Sequence, residues 1–415
     1  MEVANKMQHF NFLTQEEENQ IFYKKPQPIN IQQDRSLAMI SASEKARIAN
    51  SLGAVLYMPG TREDIAQIIT KSRYSATTYI LCLEDSIGDV SLEIAEENLL
   101  NQLRQIQEYK KTQSQREQDK LPMIFIRIRT PQHLADFGEK LGTLANEVNG
   151  FALPKADNRN LEDYLVTLIQ VAEKADTWLW AMPILESKEL MVRQTRESEL
   201  NKIYALLTQP KFEQVILNIR LGATDMCGLF GLRRSIDSTI YDVSVMRDFM
   251  TDVLNYFSLD CRFVVSGCVW EFFSKRPRVM KPLLRKTPFA TKLGEDGQIL
   301  REELISDAND GLIREVLLDK LNGISGKTCI HPTHIVPVNS QYVISKEEYY
   351  DAKRILDSTN GQVGVFKSEK GNKMNEVKPH LLWANQVMRR SEIYGVFNEQ
   401  KDFVDLLIAE YLSED

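Results

Sequence analysis

Short apolar runs, each closed by a charged or Gly/Pro switch, recur along the chain and read as buried strands. The clearest is Trp178-Leu179-Trp180-Ala181-Met182-Pro183-Ile184-Leu185, which stops at Glu186-Ser187 and passes into a charged, helix-like Lys188 to Arg193. Before it, Gly53 to Met58 ends at Pro59-Gly60-Thr61-Arg62, and Thr78 to Leu83 ends at Glu84-Asp85-Ser86. Met123 to Ile126 runs out through Arg127-Ile128-Arg129, and Gly150 to Leu153 ends at Pro154-Lys155. After it, Val215 to Leu221 ends at Gly222-Ala223-Thr224-Asp225, Arg262 to Ser266 at Gly267, and Thr328 to Ile330 at His331-Pro332. Helical periodicity fills most of the intervals, for example Glu63 to Arg73 with Ile65, Ile68 and Ile69 on one face, and Ser91 to Gln107.

Strands alternating with helices predict a parallel sheet, and eight such units predict a closed (β/α)8 barrel. An open doubly wound sheet is the rival; it usually has fewer strands and a Gly-rich first turn, which is missing here. The expected organisation is an N-terminal arm over 1–52 interrupted by Pro26, Pro28 and Asn30, a barrel over 53–338, and a C-terminal helical extension over 339–415. That extension looks helical over Ser345 to Asp357, Pro379 to Arg390 and Lys401 to Leu412, and could cover a pocket or dock on a neighbouring subunit. Lys110 to Lys120 reads as an exposed polar connector, and a long connection separates the seventh and eighth strands.

Composition changes this picture little. The chain has 415 residues, is 43% hydrophobic and 26% charged, and has a net charge of -7. That charge argues against a nucleic-acid surface, and no apolar run is long enough to span a bilayer. The polar start with Glu16-Glu17-Glu18 is unlike a secretory signal. Five cysteines without a Cys-x-x-Cys pair favour a reducing cytoplasm.

The chemistry gathers at the strand exits: Arg62, Glu84, Asp85, Arg127, Lys155, Glu186, Asp225 and His331 would ring one mouth of a barrel. Glu186 and Asp225, from different strands, could hold a hard divalent cation such as Mg²⁺, which takes oxygen ligands and keeps waters. Arg62 and Arg127 could clamp an anionic substrate. A metal and arginines facing an oxo acid suit breakage or formation of a C–C bond through an enolate. Each residue also has a plainer reading. A strand-end acid often caps a helix, as Glu84-Asp85 would; Arg127 and Arg129 could lie on the surface; Lys155 suits charge neutralisation better than a Schiff base. His331 and His334 sit in a Pro-containing loop that suits structural hydrogen bonds better than a metal pair. Gly323 to Thr328 resembles the end of a P-loop, but it lacks the first glycine and precedes a strand.

The motifs Met58-Pro59-Gly60-Thr61-Arg62, Leu83-Glu84-Asp85, Ile126-Arg127-Ile128-Arg129, Leu153-Pro154-Lys155, Leu185-Glu186-Ser187, Leu221-Gly222-Ala223-Thr224-Asp225 and Gly326-Lys327-Thr328-Cys329-Ile330-His331-Pro332 stand in an order that resembles the HpcH/HpaI aldolase and citrate lyase β-subunit family. The wording is similar to its divergent C–C bond lyase branch associated with tellurium resistance. The resemblance implies a TIM barrel with Glu186 and Asp225 as ligands of Mg²⁺, with Mn²⁺ as the alternative ion. It implies that Arg127 holds the substrate and polarises its carbonyl, and that Arg62 and Lys155 add anion contacts. Glu84 and Asp85 become acid, base or support near the metal's waters. Gly371 to Glu376 resembles a lid motif whose acid is normally Asp, which puts Glu376 forward as a catalytic acid. Arg129 departs from the family's pattern and adds a charge beside the substrate.

The implied activity is cleavage or formation of a C–C bond in a small hydroxy or keto acid, or in its acyl thioester, and coenzyme A use stays open. The expected assembly is a homo-oligomer, a trimer or hexamer, without nucleic acid or membrane partners. A condensing acyltransferase of malate-synthase type and a metabolite-binding barrel without catalysis are the alternatives.

Overall fold

The computed structural model describes residues 9–29, 40–273, 294, 307–359, 364–368, 371 and 373–413. The chain divides into two compact units, one of 29–271 with 315–335, the other of 1–28, 272–314 and 336–415. Most of the connection between the seventh and eighth strands, and parts of the arm and of the Gly-rich stretch after Gly361, lie outside the described residues.

The first unit is the barrel. Its strands are β1 (Ala54–Pro59), β2 (Thr78–Cys82), β3 (Met123–Arg127), β4 (Gly150–Leu153), β5 (Trp180–Leu185), β6 (Ile219–Leu221), β7 (Val265–Ser266) and β8 (Lys327–Cys329). From β1 to β7 each strand pairs in parallel with the next in chain order, and β8 returns to pair with β1 through Ala54 and Lys327. A parallel bridge from Gly267 to Lys327 joins the β7 end to β8, so the ring closes. These strands are almost wholly buried and mostly apolar because one face fills the barrel and the other meets the helices.

The helices follow ordinary rules. Ser91 caps Leu92–Thr112, whose Ala95, Leu99, Leu103 and Ile106 form the buried stripe, while Lys110 and Lys111 sit at its negative end. Thr130 caps Pro131–Leu141, with Pro131 in the first turn and Gly142 in a left-handed conformation after the end. The expected connector after Lys110 is partly helical, over Gln115–Gln118, and Lys110 pairs with the buried Glu147 at 2.8 Å.

Two strands are shorter than the apolar runs suggest. In Val215 to Leu221 only the last three residues form β6. At Asn218 the ladder is interrupted, and its side-chain amide donates to the Val264 carbonyl at 3.1 Å. In Arg262 to Ser266 only Val265–Ser266 is strand; the chain enters it through Asp260 and Cys261, both in the left-handed region.

A buried charge network lies between β8 and the helix Asp307–Leu321. The Lys327 ammonium donates to Glu315 and Asp319, each at 2.7 Å, and all three side chains are fully buried. Arg234 binds Glu315 and Glu271, and the Tyr241 hydroxyl donates to Asp319 at 2.8 Å. Gly267 leaves room for this cluster, since a Cβ there would fall 2.5 Å from Asp319 Oδ2.

The second unit packs the helices Lys346–Asp357 and Leu381–Ile393 and the hairpin Val365–Lys367 with Met374–Glu376 around Ile344, Ile355, Phe366 and Val387. Phe22–Lys24 of the arm pairs antiparallel with Val396–Phe397, and the Phe22 and Phe397 rings stack at 6.2 Å. The C-terminal helices are present as expected, together with these strands. No helix among the described residues is long and apolar enough to cross a membrane.

Removing Lys327 while keeping its acids should be severe, because two carboxylates would stay buried with one partner withdrawn. Lys327→Met is expected to lower the unfolding free energy by about 3–5 kcal/mol. Urea unfolding followed by fluorescence measures it, and a loss below about 1 kcal/mol would contradict a supporting role for the network.

Candidate active site

Barrel closure carries the strand exits to one rim, and side chains from β2 to β6 meet there. The centre is Arg127, the last residue of β3. Its guanidinium Nη2 lies 2.7 Å from Glu84, 3.3 Å from Asp85 and 3.3 Å from Glu186. Lys155, just beyond β4, adds its ammonium to Glu84 at 2.8 Å and to Asp85 at 3.9 Å. Lys155 is held in the left-handed region at φ 49°, a conformation unusual for a residue with a side chain. There its backbone N–H donates to Glu186 Oε1 at 3.0 Å.

Glu186 and Asp225 come from the ends of β5 and β6 and are in side-chain hydrogen-bond contact. Glu186 is 6% exposed and Asp225 is half-buried. The approach depends on Gly222, because a Cβ at that position would fall 2.1 Å from Glu186 Oε2. Burial, followed by the repulsion from Asp225, outweighs the pull of Arg127 and raises the Glu186 pKa from an ordinary 4.5 to about 7. Lys155 is shifted upward by its hydrogen bond to Glu84, so it stays a cation and does not suit Schiff-base chemistry.

The charges at the rim do not balance. With Glu186 ionised, Glu84, Asp85, Glu186 and Asp225 face Arg127 and Lys155 among the described residues, a formal excess of two negative charges. No group of three or more His, Cys, Asp and Glu side chains among the described residues is set to hold a metal ion by itself. A pair of hard oxygen donors with a deficit of two charges fits a divalent cation that keeps waters and shares substrate oxygens, the habit of Mg²⁺.

Several expected residues stand elsewhere. Arg62 is bound in bidentate fashion by Asp64, at 2.8 and 2.7 Å. Arg129 turns to the Leu83 carbonyl at 2.9 Å, so it braces the loop after β2. His331 caps the turn Pro332–His334 through its ring nitrogen, and Gly323 to Thr328 leads into β8. Glu376 belongs to the other unit, where its side chain is exposed and its N–H donates to His380 at 3.1 Å. The roles of three neighbours of the centre are not given by position at a strand exit. Tyr164 donates its hydroxyl to the Arg129 carbonyl at 2.9 Å, Gly222 makes room for Glu186, and Tyr57 feels the charges of Arg220, Arg127 and Glu186.

A family model for C–C bond lyases of the TIM-barrel fold matches residues 46–396. Among solved structures, the protein CitE from Mycobacterium tuberculosis, crystallised with magnesium, acetoacetate and coenzyme A, is 20% identical with a TM-score of 0.49; the match covers 82% of this chain and 97% of that one. The citrate lyase beta subunit from M. tuberculosis with oxaloacetate and magnesium is 17% identical, TM-score 0.41, over 70% and 97%. RipC from Yersinia pestis is 18% identical, TM-score 0.40, over 70% and 94%. No curated protein sequence matches the chain.

The raised Glu186 pKa makes a stability prediction for the metal-free protein. The unfolded chain loses this proton near 4.5 and the folded chain near 7, so the folded state binds more protons between them. The stability that Glu186 contributes is therefore full below 4.5, falls as pH rises, and is lost above 7. Glu186→Gln should be more stable than the parent at pH 8 by about 3 kcal/mol, and so melt higher, with the gap closing towards pH 4.5. Thermal unfolding in EDTA across that range measures it, and a variant less stable than the parent at pH 8 would contradict the charge imbalance.

Proposed function

The chain belongs to the family of C–C bond lyases of the TIM-barrel fold, and from that membership we propose that this rim cleaves a C–C bond in a small hydroxy or oxo acid with the help of Mg²⁺. The observation that carries the reading is the Glu186–Asp225 pair, two carboxylates from neighbouring strands pressed together beside one guanidinium. Glu186 and Asp225 would hold the ion, which when bound supplies Lewis acidity to the substrate's oxygens.

Arg127 is the group that acts on the reacting carbonyl. As the bond breaks, its electron pair moves onto that oxygen, and a guanidinium fixed between three carboxylates meets the growing charge without rearranging. Lys155 and Glu84 keep Arg127 in place, and Lys155 also orients Glu186 through its N–H. Asp85 suits the role of base. Burial alone would raise its pKa, but the hydrogen bond with Glu84 and the charges of Arg127 and Lys155 more than offset that and lower it. It is then ionised at neutral pH and, being largely exposed, can accept the substrate's hydroxyl proton. The same groups would run the reaction in the direction of condensation.

Glu186→Ala with Asp225→Ala should keep the fold by circular dichroism and lose the calorimetric heat of Mg²⁺ binding. Undiminished Mg²⁺ affinity in that variant refutes the assignment. Arg127→Lys should retain Mg²⁺ yet lower kcat on any cleaved acid by about 10²–10³-fold.

A further inference from the structure

Arg220 is the buried charge that the reading above does not use. It lies in β6, two residues before Gly222, and pairs across the ladder with Ile184 of β5. Residues two apart on a strand share a face, so Arg220 points inside the barrel about 7 Å beneath the Gly222 position on which Glu186 rests. It is 1% exposed.

Its partners are poor for a buried cation. Nη2 donates to the Thr328 hydroxyl at 2.5 Å, Nη1 reaches the Asn218 amide oxygen at 3.5 Å, and Nε has no hydrogen-bond partner. The guanidinium lies 5.8 Å from the centroid of the Tyr57 ring. The other arginines buried among the described residues are matched with acids: Arg196 with Asp248 and Asp252, Arg234 with Glu271 and Glu315. Arg220 has no carboxylate within ion-pair distance among the described residues. A buried guanidinium without a counter-charge is costly, and an anionic ligand would offset that cost.

Two of its neighbours are less deeply buried than Arg220 itself. Tyr57 and Thr328, which face the barrel interior beside Arg220, are both partly exposed, as are Arg127 and Gly222 above. Tyr57 and Thr328 thus keep some exposure beside an Arg220 that is itself almost fully buried. A divalent ion would cancel the two spare negative charges of the rim, and the charge of Arg220 would then remain.

We propose that Arg220 forms the floor of the binding site and takes a second anionic group of the substrate, a carboxylate or a phosphate-like oxyanion. This rests on the reading of the rim as the reaction centre. The acid would stand upright in the barrel, one end at the Glu186–Asp225 rim and the other on Arg220, anchored by Thr328. Arg220 is thus a specificity residue that selects doubly anionic acids.

The test compares pyruvate, oxaloacetate and phosphonopyruvate by calorimetry on the full chain, with and without Mg²⁺. The parent should bind at least one of the two dianions about ten- to a hundredfold more tightly than pyruvate. The preferred dianion identifies the second group as carboxylate or phosphate-like. Arg220→Met should erase that margin, leave pyruvate and Mg²⁺ affinity within about twofold, and melt no lower than the parent without ligand. Arg220→Lys and Thr328→Val should each keep the fold and shrink the margin, which decides the matter should Arg220→Met fail to fold. A parent without the margin, or a margin that survives in these variants, overturns the proposal. Failure to bind Mg²⁺ sinks the rim reading instead, and the margin measured without metal still judges Arg220.

Discussion

Two carboxylates pressed together where water is scarce are the constraint on which this molecule turns. Glu186 and Asp225 can meet only because β5 and β6 are adjacent staves and Gly222 has no side chain to hold them apart. Neither Arg127 nor the Lys155 N–H fully offsets burial and the repulsion from Asp225, so the Glu186 carboxyl tends to keep a proton near neutrality. The arrangement costs stability, and a barrel can carry that cost because its strands are fixed by pairing and apolar packing elsewhere. Functional sites commonly depart from local optimisation in this way.

The contrast with the Lys327 network shows what a structural charge cluster looks like in the same barrel. Lys327, Glu315, Asp319 and Arg234 are buried at least as deeply as Glu186, yet each oxygen of the two acids meets a donor: the ammonium, the guanidinium, the Tyr241 hydroxyl or the Ile240 N–H. Such a cluster ties β8, where the ring closes, to its own helix and has no further capacity for a ligand. At the rim the acids outnumber the cations, and inside the barrel Arg220 lacks an acid. Unequal matching, more than burial, separates the groups with chemistry left to do from those already satisfied.

Much of this was legible in the chain. Parallel strands covered on both sides are apolar runs, so all eight could be found, and their polar exits marked the rim. Those exits place Arg127, Glu84, Asp85, Lys155, Glu186 and Asp225 in one set, together with Arg62 and His331, which the structure engages elsewhere. What escaped was set by tertiary detail. A run read as one buried strand does not show where its ladder breaks, so the polar Asn218 inside Val215 to Leu221 was the one mark of the residues that leave it. Arg62 has its acid two residues along the chain, and Arg129 finds a carbonyl from another strand's loop; strand position alone could reveal neither. The pairing of Phe22–Lys24 with Val396–Phe397, and of Arg234 with Glu315, joins residues too distant in sequence for local patterns to connect.

Arg220 had a signal that was easy to pass over: a lone charge between Ile219 and Leu221 in a strand expected to be buried on both faces. Period-two geometry puts it on the same face as Gly222, hence below Glu186. If its charge is answered by substrate, the cations form a descending order, from Lys155 at the edge through Arg127 to Arg220 at the floor. An acid with two anionic ends then has one favoured orientation. Reversing it would bring the group meant for the floor against the rim's carboxylates and leave the reacting carbonyl away from Arg127. Orientation would come from fixed charges at different depths on rigid strands, and it would not require a moving element to impose it.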